Sequence, residues 1–179
     1  MTIFTEKRIL IFDECIFMGR LLGSIIGAFN VGQLTICNTW KDAEYHIKEI
    51  KYDCIFCDWS KWPDPELECL KFVRYSGSAN DPSTPVIIAT GFTSLPQIIA
   101  ARDIGATEII SKPIAPSHVF DKLYNSLYNT REFLALEQYT GPDRRRKLND
   151  YAGLERRSDT NLEQCDIDKL LAGESIESN

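Results

Sequence analysis

Short apolar runs alternate with segments of helical periodicity through most of this 179-residue chain. The runs with strand character cover residues 8–12, 34–37, 53–57, 85–89 and 108–110. Apolar residues at helical spacing follow each of them, over residues 17–29, 42–50, 66–75, 95–104 and 119–136. Strands that are apolar on both faces need helices on both faces. The alternation therefore predicts an α/β fold, a doubly wound five-stranded parallel sheet between two helical layers, with an extended last helix.

The side chains that follow these apolar runs suit metal and phosphate chemistry. They are Asp13 and Glu14 after the first run, Asp58 after the third, Thr90 after the fourth and Lys112 after the fifth. In doubly wound sheets ligands bind beyond the carboxyl ends of the strands, so we expect these residues to meet. Carboxylates at one edge repel by roughly 4 kcal/mol a pair at 4 Å, and so require a cation. Mg²⁺, which prefers carboxylate oxygens and water, is the expected ion.

Asp58 is the predicted nucleophile of this constellation. An aspartate beside Mg²⁺ can attack a phosphoryl donor in line and form an aspartyl phosphate. Lys112 would offer a positive charge to the new phosphoryl oxygens, and Thr90 would offer a hydroxyl donor. A phosphatase with an aspartate nucleophile would need a second acid two residues later, where this chain has Ser60.

The overall charge indicates protein partners. A formal net charge of -6 and an isoelectric point near 5.0 argue against nucleic acid and against anionic membrane. No apolar stretch approaches the roughly 20 residues of a membrane span, and the first residues do not resemble a signal peptide. We therefore expect a cytoplasmic protein.

Six cysteines in such a chain are expected to be reduced thiols rather than a disulfide framework. Cys54 and Cys57 match a CxxC pattern. Residues three apart in a strand point to opposite faces, so this pair is expected to pack in the core and not to bind a metal jointly.

Four motifs carry a resemblance to the receiver domain of bacterial two-component response regulators, the CheY-like domains. They are RILIFDE at residues 8–14, CIFCD at 54–58, TPVIIATG at 84–91 and GATEIISKP at 105–113. They occur in the order and spacing of that family, and the resemblance covers residues 8–127. It implies a flavodoxin-like sheet with strand order 2-1-3-4-5.

The resemblance also implies a role in phosphorelay signalling. A histidine kinase or histidine phosphotransfer protein would phosphorylate Asp58, and Thr90 and Lys112 would bind the phosphoryl group. The implied Mg²⁺ ligands are Asp13, Glu14, Asp58 and the backbone carbonyl of Trp59. The added charge would change the face around the fourth and fifth helices, which would contact a downstream protein, and a homodimer is compatible with this role. Such a domain is not an enzyme beyond self-catalysed phosphotransfer and autodephosphorylation.

The chain departs from the family at three places. Ile109 stands where the family commonly has a Tyr or Phe switch, and the turn Trp59-Ser60-Lys61-Trp62-Pro63 replaces a Met-Pro-Gly turn. The segment IIATGF resembles a subgroup from alphaproteobacterial stress-response circuits that lacks this aromatic. Phe92 is then a packing residue or, less favoured, a relocated aromatic reporter. The departures leave one alternative, a receiver-like interaction module that works without phosphorylation.

The predicted domain division is a receiver over residues 1–128 and a helix extension with a tail over 129–179. The tail repeats one pattern, Tyr-Thr-Gly-Pro-Asp-Arg-Arg from Tyr139 and Tyr-Ala-Gly-Leu-Glu-Arg-Arg from Tyr151. We favour a protein-docking segment, on its own receiver or on a partner, over a solubilising tail or a nucleic-acid contact. Residues 166–172 predict a short helix with Asp166 as its cap and Leu170 and Leu171 as its apolar contacts.

Overall fold

A five-stranded parallel sheet lies at the centre of the computed structural model, which describes residues 3–60, 68–76, 79–129, 131–136, 139–143 and 163–172. The strands are β1 (Arg8–Phe12), β2 (Gln33–Cys37), β3 (Cys54–Trp59), β4 (Val86–Thr90) and β5 (Glu108–Ser111). Their order is β2-β1-β3-β4-β5, which confirms the predicted doubly wound fold. The interior strands β3 and β4 are buried almost throughout, whereas the edge strand β2 is only partly buried.

Helices cover both faces of this sheet. They are α1 (Ile16–Gly27), α2 (Trp40–Glu49), α3 (Glu68–Tyr75), α4 (Leu95–Ile104) and α5 (Pro116–Tyr128). Alternate residues of each strand feed two separate cores. In β1, Ile9 and Ile11 pack with α1 and α5, while Leu10 and Phe12 pack with α2, α3 and α4. The predicted three-layer architecture is therefore confirmed.

Local sequence determines both ends of α4. Ser94 and Gln97 form a capping box, in which each side chain bonds the backbone of the other residue. At the far end, Gly105 adopts φ 106°, a left-handed conformation that glycine takes without steric cost. Both ends are thus dictated by residues that satisfy unpaired helix backbone groups.

The register of the parallel strands sets which residues meet at the carboxyl edge. Trp59 pairs with Thr90, and Thr90 in turn pairs with Ser111. Phe12, the last residue of β1, pairs with Cys57. The residues just beyond these positions, Asp13, Asp58 and Lys112, are consequently delivered to one small region of the sheet edge.

The predicted long helix over residues 119–136 is wrong beyond Tyr128. α5 ends there, and Asn129 leaves the helical region with φ -118° and ψ 47°. An antiparallel hairpin follows, made of β6 (Phe133–Leu136) and β7 (Tyr139–Pro142). The segment Phe-Leu-Ala-Leu fits a helix or a strand by local pattern, and packing against the rest of the chain favours the strand.

Arg74 of α3 anchors this hairpin to the rest of the molecule. Its guanidinium donates to the carbonyls of Pro82, Thr84 and Gly105 and lies 5.5 Å from the ring centre of Phe133. Burial lowers the pKa of Arg74 to about 10, and the carbonyl acceptors compensate the loss of water. The hairpin therefore packs on a buried cation that also ties together the loops before β4 and β5.

A further helix, α6 (Gln164–Ala172), packs beside β5. It begins two residues before the predicted helix, so Asp166 lies in its first turn. Leu170 and Leu171 are buried, as predicted, and Ile167 joins them. The first copy of the tail repeat begins with β7, whereas its paired arginines and the whole second copy lie outside the described residues.

The structure agrees only in part with the prediction that the cysteines are free thiols. Cys54 and Cys57 face opposite cores, as predicted. Cys57 is nevertheless joined to Cys69 by a disulfide, because α3 packs on this face of β3 with the two Cα atoms 6.5 Å apart.

None of the helices in the described part of the chain has the length and apolar character that a membrane span needs.

The contact between Gly105 and the hairpin generates a stability prediction. A Cβ atom at Gly105 would collide with the carbonyl oxygen of Thr140, and its φ of 106° is strained for alanine. We expect Gly105→Ala to lower the free energy of unfolding by about 1–3 kcal/mol in urea denaturation. Gly27→Ala is the matched control, since nothing lies within 4 Å of its Cβ position. Equal stability of the two variants would contradict the described packing.

Candidate functional site

The ends of three strands bring Asp13, Asp58 and Lys112 together. The Nζ atom of Lys112 lies 2.5 Å from Oδ1 of Asp58 and 3.5 Å from Oδ2 of Asp13. The Asp58 and Asp13 side chains are only 5% and 3% exposed, whereas that of Lys112 is 21% exposed. Two nearly buried carboxylates thus share one ammonium group, which solvent reaches from the outer side.

Asp13 is held both through its carboxylate and through its backbone carbonyl. Its Oδ1 accepts a hydrogen bond from the amide of Cys15, 2.8 Å away, at the start of α1. Its carbonyl accepts from the side-chain amide of Asn38, also at 2.8 Å. The sequence analysis did not single out Asn38, although Asn38 directly follows β2 in the same way that Asp13 directly follows β1. The rule that singled out the other strand ends would have found it.

The Asp13 carboxyl titrates above its ordinary range. Burial raises its pKa first, and the neighbouring charge of Asp58 raises it further. The Cys15 amide and the ammonium of Lys112 lower it, but they do not outweigh the first two effects. When both carboxylates are ionised, they carry one negative charge more than Lys112 compensates, and a second cation would relieve this imbalance.

A hydrogen bond joins the side chain of Thr90 to the backbone of Trp59. The Thr90 hydroxyl donates to the Trp59 carbonyl at 3.0 Å and accepts from the Phe92 amide at 2.9 Å. The rings of Trp59 and Phe92 meet edge to face, with their centres 5.7 Å apart. Phe92 thus packs against the site from the loop after β4, in keeping with the favoured packing role.

The donor set fits Mg²⁺ on chemical grounds. Two buried carboxylates and a carbonyl are hard oxygen ligands, and the two carboxylates share the single positive charge of Lys112. Glu14 is exposed, and the described residues contain no group of three or more His, Cys, Asp or Glu side chains arranged around a metal position. The Mg²⁺ role of Glu14 stays a prediction. Ser60 is exposed, and Lys61, Trp62 and Pro63 lie outside the described residues.

Ile109, the residue at the family's aromatic switch position, is fully buried in β5. It packs in the core formed with α4 and α6 rather than facing solvent. Its carbonyl accepts a hydrogen bond from the side-chain amide of Gln164 in α6. The sequence analysis did not identify Gln164, because its partner is 55 residues away and no local pattern marks the contact.

Fold and site together define a class: flavodoxin-like α/β domains with a lysine-paired acidic site at the carboxyl edge of the sheet. Comparison with known families agrees. The family model of the response regulator receiver domain matches residues 9–124. This chain belongs to the response regulator receiver family. Response regulators are components of two-component systems.

Individual relatives give the same result. The chain is similar to the chemotaxis protein CheY of Thermotoga maritima, with 27% identity over 117 residues that make up 65% of this chain and 94% of the relative. The solved receiver domain of a Francisella response regulator matches with a TM-score of 0.60 and 20% identity, over 69% of this chain and 98% of its own. A CheY-like receiver from Methanospirillum hungatei matches with a TM-score of 0.57 and 23% identity, over 69% and 95%. These two structures support the fold.

The raised pKa of Asp13 generates a prediction about metal affinity. A carboxylate must lose its proton to bind Mg²⁺, so a raised pKa means that protons compete at a higher pH. We expect the Mg²⁺ affinity to fall by about tenfold per pH unit once Asp13 protonates, beginning above the ordinary aspartate value of 3.8. Calorimetric titration across acidic and neutral pH measures this fall.

Asp13→Asn is the control for this titration. It should bind Mg²⁺ weakly and lose the part of the pH dependence that belongs to Asp13. A wild-type affinity that stays constant down to the ordinary aspartate range would contradict the described electrostatics.

Proposed function

We propose that this chain accepts a phosphoryl group on Asp58 from a histidine kinase or histidine phosphotransfer protein and signals through protein contacts. The observation that carries the proposal is the ion pair of Lys112 with the nearly buried Asp58, beside a second carboxylate from Asp13. Transfer of a phosphoryl group to a carboxylate brings negative charges together, so cations must neutralise them. The lysine supplies one, and the carboxylate pair is suited to bind the other.

Each residue has a defined part in the transfer. Asp58 attacks the phosphorus atom with a carboxylate oxygen, and the bond from phosphorus to the donor histidine nitrogen breaks. Asp13, Asp58, Glu14 and the Trp59 carbonyl would hold Mg²⁺, which supplies neutralisation of the phosphoryl charge. Lys112 and Thr90 orient and bind the phosphoryl oxygens that are not held by the metal.

Phosphorylation requires Lys112 and Thr90 to change partners. In the structure, Lys112 is bonded to the Asp58 carboxylate itself, and the Thr90 hydroxyl donates to the Trp59 carbonyl. Both donors are engaged within the protein. The Thr90 hydroxyl has a single proton, so it can donate to a phosphoryl oxygen only by leaving the Trp59 carbonyl, whereas Lys112 would exchange its Asp58 oxygen for a phosphoryl oxygen. The proposed function therefore involves two arrangements of the site. Lys112 and Thr90 bond protein groups in the first, and they bond the phosphoryl group in the second.

The proposal extends to the organisation of the chain. We assign residues 1–128 to the receiver and residues 129–179 to an extension, in which β7 contacts α3 and α4, and α6 contacts β5. The chain acts as a signalling module rather than as an enzyme on an external substrate. Its phosphoryl donors are cytoplasmic proteins or domains, so we place its action in the cytoplasm.

Phosphorylation by a small donor tests the proposal. Incubation with acetyl phosphate and Mg²⁺ should add the mass of one phosphoryl group, because the site supplies its own nucleophile and charge compensation. Intact mass spectrometry measures the adduct. Asp58→Asn should abolish it, and omission of Mg²⁺ should strongly reduce it.

Asp121→Asn is the matched control, since Asp121 is an exposed aspartate of α5. It should be phosphorylated as the wild type is. Absence of any adduct under saturating donor, or an adduct that survives in Asp58→Asn, would contradict the proposed function.

A further inference from the structure

The outer edge of β5 is bonded by a side chain of α6. The side-chain oxygen of Gln164 accepts from the Ser111 amide at 2.6 Å, and its side-chain nitrogen donates to the Ile109 carbonyl at 3.0 Å. A residue in a neighbouring parallel strand makes the same pair of bonds, to the carbonyl of one residue and the amide two positions later. The amide of Gln164 therefore takes the place of a residue in a sixth strand.

Apolar packing adds to these bonds. Three side chains at helical spacing, those of Ile167, Leu170 and Leu171, are buried in the same core as Ile109. The exposed positions of α6 include Cys165 and Lys169. The helix is amphipathic, and its apolar face is the one that meets the sheet edge.

Charged side chains hold α6 at its middle and at its C-terminal end. Lys122 of α5 lies 2.7 Å from Asp168 and 2.8 Å from Glu108 of β5. Burial acts to lower the pKa of Lys122, but the two carboxylates outweigh it, so the pKa is raised and the ammonium stays charged. At the C-terminal end of α6, Arg131 donates to the carbonyls of Thr107 and Leu171. The carbonyls of Thr107 and Ile109 and the amide of Ser111 are thus bonded from outside the sheet.

The same edge is connected to the candidate site. Ser111 immediately precedes Lys112, and both its amide and its hydroxyl donate to Gln164. Ser111 also pairs in register with Thr90, while the Lys112 amide donates to the Thr90 carbonyl at 2.7 Å. The two residues that must change partners on phosphorylation are therefore the direct neighbours of the residue that Gln164 holds.

The docking of α6 depends on this edge. A helix of nine residues is too short to be stable alone, so its structure requires the contacts that β5, α5 and Arg131 provide. A small displacement at the end of β5 would affect both bonds of Gln164 at once. The helix is therefore suited to respond to the state of the strand.

We propose that residues 163–172 are an internal ligand of the β5 edge, and that phosphorylation of Asp58 displaces them. This inference deepens the proposed function and rests on it. The docked helix is found with Lys112 bonded to the Asp58 carboxylate and Thr90 bonded to Trp59. A phosphoryl group inserted between Asp58 and Lys112 moves the lysine outward from β3, draws the Thr90 hydroxyl away, and so shifts Ser111 against Gln164.

Hydrogen exchange on the full chain tests the displacement. With acetyl phosphate and Mg²⁺, the Ser111 amide and the amides of residues 163–172 should exchange about tenfold faster, because their bonds depend on docking. Residues 40–49 of α2, remote from this edge, should be unchanged. Asp58→Asn, treated in the same way, should show no acceleration in either segment.

Intact mass on the same sample separates the two proposals. Full phosphorylation with unchanged exchange in residues 163–172 would overturn the displacement and leave the proposed function standing. A chain that takes up no phosphoryl group would overturn both. If the exchange of residues 163–172 is also faster in Asp58→Asn, then acetyl phosphate itself, rather than phosphorylation of Asp58, displaces the helix. That result would likewise overturn the inference.

Reciprocity provides a second test. If phosphorylation weakens docking, then weaker docking must favour the phosphorylated arrangement by the same factor. Gln164→Ala should therefore bind beryllofluoride with Mg²⁺ up to about tenfold more tightly than the wild type. Lys169→Ala, an exposed change on the same helix, should bind as the wild type does.

Ile167→Ala is a second variant that frees the helix by removing an apolar contact instead of the amide. Tighter beryllofluoride binding in both variants supports the inference. If hydrogen exchange shows that α6 is undocked in both variants but both bind beryllofluoride as the wild type does, then docking of the helix is not coupled to the site. That result would overturn the inference. Unchanged exchange in both would overturn the assigned role of these side chains in docking.

Discussion

The ion pair between Lys112 and Asp58 is the interaction on which the organisation of the carboxyl edge depends. It joins two strands that are not neighbours, and β4, between them, contributes Thr90 to the same place. Removing Lys112 would leave two nearly buried carboxylates without their cation, and such a loss typically costs several kcal/mol. Phosphorylation avoids this penalty, because it replaces the charge of the Asp58 carboxylate with that of the phosphoryl group. The lysine keeps an anionic partner, and what changes is its position.

Much of the sheet and of the site could be predicted because local sequence determines them. Interior strands such as β3 and β4 are buried on both faces, so their apolar runs are continuous and easily recognised. Parallel topology then places every strand end at one edge, which made the meeting of Asp13, Asp58 and Lys112 predictable without knowledge of distances. Thr90 was placed at that edge correctly, but its bond to the Trp59 carbonyl depends on side-chain geometry that no pattern encodes.

The parts that could not be predicted depend on contacts between distant residues. The segment after α5 has good helix formers, and only packing against Arg74 and Gly105 selects the hairpin. The disulfide between Cys57 and Cys69 likewise follows from the packing of α3 on β3. For α6 the amphipathic pattern was visible, whereas the location of its apolar face against β5 was not. Gln164 illustrates the limit, because a polar residue at the start of a short helix carries no sign that it pairs with a strand.

The side-chain amide that completes the edge of β5 has a practical consequence for work with this protein. A shortened chain that ended near residue 124, where the family match stops, would lack α6, and the carbonyl of Ile109 and the amide of Ser111 would lose their partner. Open strand edges beside apolar surface are templates for pairing with other chains. Self-association of such a fragment would then reflect the missing helix, and would be a poor guide to the oligomeric state of the full chain.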